Sequence, residues 1–101
     1  MFTDGDLEEE QALIEMFVTY AEESLDILKS CRDGEDESWK KAAHKLKGSA
    51  ANLGAQALSD MCYEAEKIFD QDILTKEKIL TNILASYKQV TTLLNAGNIA
   101  V

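Results

Sequence analysis

The chain is 101 residues long, with Asp+Glu 19 against Lys+Arg 10, a formal net charge of −9, no proline, Gly 5 and Cys 2. One domain spanning residues 1–101 fits that length, and an apolar fraction of 46% excludes a disordered or fibrous chain. Such an acidic protein is repelled by phosphodiester backbones, so nucleic acid is excluded as a partner. No apolar run approaches the roughly 18 residues of a membrane span, and no basic-then-apolar leader opens the chain, which points to a soluble cytoplasmic protein and no membrane partner.

Charge is distributed unevenly. Residues 1–37 carry thirteen acidic and two basic side chains, whereas residues 38–101 carry six and eight. Four of the nine lysines, Lys40, Lys41, Lys45 and Lys47, surround the only histidine, His44. Cys31 and Cys62 lack metal-ligand spacing and read as packing residues.

Apolar residues recur at three and four throughout, with no strand signal, so the chain reads as all-α. A first helix over about 7–31 starts at Asp6, with Glu9 completing a box-like cap, and turns Ile14, Phe17, Ala21, Leu25 and Leu28 inward. Gly34 lies in the following turn. Asp36 is the expected cap of a second helix over 37–53, with an inner stripe of Trp39, Ala43, Leu46, Ala50 and Leu53, closed by Gly54 in the left-handed conformation. A third helix over 56–69 packs Leu58, Met61, Cys62, Ala65, Ile68 and Phe69. A fourth, over about 75–95, starts between Asp72 and Thr75, packs Leu80, Ile83, Tyr87, Val90 and Leu94, and frays at Asn95-Ala96-Gly97. Short connections favour an antiparallel up-down-up-down four-helix bundle.

At 100° per residue from Trp39, the second helix's inner stripe covers about −40° to +40°, and His44 falls near 140°. The imidazole therefore points away from the core. Lys47, Lys40, Ala51, Gly48 and Lys41 spread from about 80° to about 200° on the same side. Gly48 costs about 0.5–1 kcal/mol in a helix interior, which leaves either clearance around the ring or close helix packing as its reason. His44 is either solvated decoration or a nucleophile. A metal site needs several convergent ligands, and neither a Ser elbow nor a phosphate-cradling loop is present, so no metal, triad or ATP site is expected. A neutral imidazole can hold a phosphoryl group as a phosphoramidate, with ammonium groups offsetting its charge.

The run Ala43-His44-Lys45-Leu46-Lys47-Gly48-Ser49-Ala50-Ala51-Asn52-Leu53-Gly54-Ala55 closely resembles the signature of histidine phosphotransfer (HPt) domains of multistep phosphorelays. His, Lys at +3, Gly at +4 and the closing Leu-Gly pair all stand at the family spacing. The resemblance implies that His44 accepts a phosphoryl group from a receiver-domain aspartyl phosphate, such as that of a hybrid sensor kinase. It then passes the group to the receiver of a response regulator. Lys47 then helps to neutralise the phosphoryl group and Gly48 gives the receiver room to close. The resemblance further implies a monomeric carrier without kinase activity or cofactor of its own, with Mg²⁺ coming from the receiver. Lys40 supports the histidine, while Lys41, Ala51 and exposed residues of the first helix are candidates for receiver docking.

Antiparallel packing about Gly54-Ala55 makes facing residue numbers sum to about 109, which sets His44 level with Ala65 and Glu66. Glu66 then either accepts a hydrogen bond from His44 Nδ1–H, leaving Nε2 free, or faces solvent beside Lys67 or Asp70. Many HPt domains carry Gln at that position. Two rivals remain: a four-helix adaptor that docks on a signalling protein without phosphotransfer, and a kinase dimerisation domain. The acidic first helix either repels wrong partners or is a solvated face with acids at its positive end. The chain is a separate small protein or an excised module.

Overall fold

The structure, a computed structural model, describes the backbone of residues 4–100 and the side chains of residues 11–94. Four helices follow one another: α1 (Asp4–Cys31), α2 (Asp36–Leu53), α3 (Gln56–Lys67) and α4 (Ile73–Ala100). Each packs on its neighbour in the chain, and α1 also closes on α4, while among the described residues the diagonal helices α2 and α4 meet through the long Lys76 side chain rather than by close backbone approach. This is the adjacency of an up-down-up-down bundle, drawn out to 48 × 19 × 18 Å.

The helix ends differ from the sequence reading in instructive ways. Backbone helix is already present at Asp4, ahead of the expected cap at Asp6, whose side chain, like that of Glu9, lies outside the described residues. Asp36 does not cap α2. Glu35 holds the N-cap position without a side-chain hydrogen bond, and the Asp36 carboxylate reaches instead to Lys76 Nζ at 2.6 Å. A buried ammonium without a partner is far more costly than an uncapped amide at the surface, so it takes the carboxylate.

Gly54 closes α2 at φ 86, with its amide and that of Ala55 returning to the carbonyls of Ala51 and Ala50. This is the paired hydrogen bonding of a left-handed C-cap, which a residue with a Cβ would strain. α3 stops at Lys67, two residues early, because Ile68 turns out of the helix at ψ 24; Ile68 and Phe69 still pack half-buried on the core. Asp72 caps α4 by accepting the Thr75 amide at 2.9 Å, which holds its carboxyl below the usual carboxylate range. α4 then runs through Asn95-Ala96-Gly97 to Ala100 rather than ending there, since one glycine costs a helix only about 1 kcal/mol and no proline follows.

Trp39, Leu28, Leu46, Leu58, Ile83 and Cys62 form the sealed centre, with Phe17, Ala21, Leu25, Ala43, Ala50, Ala65 and Leu80 around them. Ile14, Leu53, Met61, Tyr87, Val90 and Leu94 are half-buried at the margins of the expected stripes. Both cysteines are buried free thiols, and burial pushes that of Cys62 up to about 12. The periodicity did not foresee Lys76, which is 1% exposed and lies 5.3 Å from the Trp39 ring centroid.

Candidate functional site

α2 and α3 carry the site between them. Two hydrogen bonds from side chain to backbone fasten the pair: Trp39 Nε1 donates to the Ala65 carbonyl at 2.8 Å, and Ser59 Oγ donates to the Lys47 carbonyl at 3.2 Å. One residue beyond the Ala65 fastening, Glu66 of α3 faces His44 and Lys47 of α2.

The His44 side chain is 67% exposed. Its Nδ1 lies 3.1 Å from Glu66 Oε2, while the other carboxylate oxygen, Oε1, accepts from Lys47 Nζ at 2.9 Å. Burial alone would raise the Glu66 carboxyl, but the hydrogen bonds from Lys47 and His44, together with their charges, outweigh it and hold the group below its ordinary range. Glu66 is thus an ionised acceptor. A neutral imidazole meets it with the proton on Nδ1, which leaves the Nε2 lone pair directed to solvent. Of the two readings left open for Glu66, the structure shows the bridging one; Lys67 pairs with Glu64 instead, at 2.7 Å.

The lysines do not form a uniform ring. Lys47 is half-buried, tied to Glu66 and 5.3 Å from the centroid of the Tyr63 ring, which also receives Lys67 at 4.9 Å. Lys40 rests over the Phe69 ring at 4.6 Å and forms no hydrogen bond with His44 among the described residues. Lys41 and Lys45 are exposed on the flank of α2 that faces α1, along a groove shared with Tyr20, Glu23 and Ile27. Ala51 is exposed beyond Gly48.

A Cβ built on Gly48 would meet nothing within 4 Å, so no contact inside the molecule explains this glycine and the close-packing reading is removed. The residue opens space on the solvent side of α2, one turn from His44.

Sequence reasoning did not single out Tyr63, nor choose among the residues of the first helix. The structure brings Leu13, Met16 and Tyr20, all exposed, against Ser49, Asn52 and Leu53 of α2 in a groove of about 270 Å³. Their spacing of three and four forms a second apolar ridge beside the inner stripe, a signal present in the sequence. Tyr63 left no comparable signal, because an isolated exposed aromatic has no period. Among the described residues no cluster of His, Cys, Asp or Glu is arranged to hold a metal ion, and no helix is long and apolar enough to cross a membrane.

An exposed nucleophilic nitrogen, oriented by a carboxylate and flanked by an ammonium, with open space above it, is suited to carry a small anionic group covalently. A family model described as Hpt domain matches residues 12–96. No curated protein and no solved structure matches the chain.

Proposed function

The chain belongs to the Hpt domain family, the histidine carriers of phosphorelays, and from that premise we propose that His44 is the residue that carries the phosphoryl group. The observation that supports this most directly is the pairing of an exposed imidazole with Glu66 at Nδ1, which leaves Nε2 as the nucleophile.

Nε2 attacks the phosphorus of a receiver's aspartyl phosphate, the acyl phosphate bond breaks, and the carboxylate leaves. The product is a phosphoramidate on His44, and the reverse attack by the aspartate of a second receiver regenerates the free ring. As the phosphorus–nitrogen bond forms, the ring gains positive charge, which the Glu66 carboxylate at Nδ1 offsets. Lys47 has spent one donor on Glu66 and retains others for phosphoryl oxygens. Mg²⁺ and the rest of the transfer chemistry come with the receiver, so this chain acts as a carrier and not as a kinase, working as a monomer in the cytoplasm, where its receivers act.

The apolar ridge Leu13, Met16 and Tyr20, with Ala51 and the gap over Gly48, supports docking of a receiver on the α1–α2 side of His44, and Lys41 supplies charge for an acidic active-site rim. Incubation with a phosphorylated receiver should label the wild-type chain with an acid-labile, base-stable phosphate, and His44→Gln should abolish labelling with its helical circular dichroism intact. Equal labelling of the two proteins would overturn the assignment to His44, and no labelling of either would favour the adaptor reading.

A further inference from the structure

Trp39 is fully buried, five residues before His44 on α2, and on the inner face rather than the solvent face. Its indole N–H does more than satisfy itself. α3 ends at Lys67, so the Ala65 carbonyl falls in the last turn, where the helix supplies no amide to receive it. Trp39 Nε1 supplies that donor at 2.8 Å inside the core. The acceptor is one residue before Glu66, whose side chain bridges Nδ1 of His44 and Nζ of Lys47.

We propose that Trp39 is a positioning residue for His44: by capping the Ala65 carbonyl it fixes how far α3 sits along α2, and so holds the Glu66 carboxylate against Nδ1. Shape packing alone does not fix that setting well. Ala43 and Ala65 are both buried with only a methyl group each to interlock, whereas a buried hydrogen bond has one good geometry. Ser59 fastens the opposite end of the pair through the Lys47 carbonyl, so loss of the indole donor frees the half of the interface that carries Glu66. A shift of about 1 Å breaks a bond of this kind and misaligns an attacking atom enough to slow a reaction strongly.

The inference rests on the reading of His44 as the phosphoryl carrier, but its central test does not require phosphorylation. His44 is the only histidine, so ring-labelled protein gives a single imidazole spin system in long-range ¹H–¹⁵N spectra. Wild type should show the proton on Nδ1. Trp39→Phe, which keeps an aromatic ring and removes the donor, should shift the population toward the Nε2–H tautomer and slow single-turnover transfer from a phosphorylated receiver about tenfold. Replacing Trp39 with benzothienylalanine, in which sulfur takes the place of the N–H in a ring of nearly the same shape, should do the same and covers the case of a Phe variant that folds poorly. Lys76→Met, which alters the other side of the indole without touching its N–H, should leave the tautomer where it is. An unchanged Nδ1–H tautomer in both Trp39 variants overturns the proposal, whereas labelling that survives His44→Gln overturns the carrier assignment and not the coupling of Trp39 to the ring.

Discussion

Two lysine–carboxylate pairs fasten α2 to its neighbours, and they differ in which partner is buried. At the start of α2, Lys76 is 1% exposed and its partner Asp36 is 45% exposed. At the middle of the helix, Lys47 and Glu66 are 27% and 20% exposed, and Glu66 also holds His44. The first pair keeps a buried cation from being stranded beside Trp39. The second is shared with the exposed imidazole of His44, and solvent near the pair lowers its worth for stability.

That contrast is broken most strongly by removing the half-exposed partner of the buried lysine. Asp36→Ala leaves Lys76 charged and unpaired against the indole and should lower unfolding stability by about 2–3 kcal/mol in urea titrations. Lys76→Met removes the buried charge itself while Asp36 rehydrates, and should stay within about 1 kcal/mol of wild type. Equal losses in the two variants would show that the pair is not limited by desolvation. Lys47→Ala should do the reverse of Asp36→Ala: phosphotransfer should slow about tenfold, corresponding to one charge-assisted contact, with little loss of thermal stability. If transfer rates match wild type across a salt series, Lys47 does no more than brace Glu66.

Gly48→Gln sharpens the same comparison on the solvent side. The added side chain meets no atom of the molecule, so α2 should gain about 0.5 kcal/mol in helix propensity while transfer from the receiver slows. A loss of stability would mean that the glycine is needed by the fold after all. The smallest effect is in acid. The folded Glu66 carboxyl is held below its ordinary value of 4.5, so its contribution to stability is complete above that value and fades as pH falls through the lower folded one. Glu66→Gln should therefore flatten the acid limb of the stability curve below about pH 4.5 and leave the curve near neutrality parallel to wild type.

Much of this arrangement was legible before the structure. The all-α class, the inner stripes, the glycine turn at Gly54 and the outward direction of His44 follow from residue period and from one residue type, because each depends on atoms a turn or less apart. The facing of His44 and Glu66 was within reach because one tight turn links α2 to α3, so counting residues back from Gly54 gives the register to within about one residue, or about 1.5 Å along a helix; whether Glu66 would bridge or face solvent was not. The misread ends of α2 and α3 have a different origin. Asp36 has the sequence of a cap, and nothing near it in the chain reveals that Lys76, forty residues on, takes its carboxylate.

By itself, then, the sequence determined the four helices, the exposed histidine with its Lys47 and Gly48, and the family to which the chain belongs. Only the tertiary structure decided which carboxylate each lysine meets, that Lys40 lies on Phe69, that Leu13, Met16 and Tyr20 share a groove with α2, and that the indole of Trp39 closes the end of α3 beside Glu66. The division follows from range. Helical period and turn chemistry are set by neighbours along the chain, whereas the pairing of a buried polar group is settled by whichever partner the packed helices bring within hydrogen-bond distance once water has left.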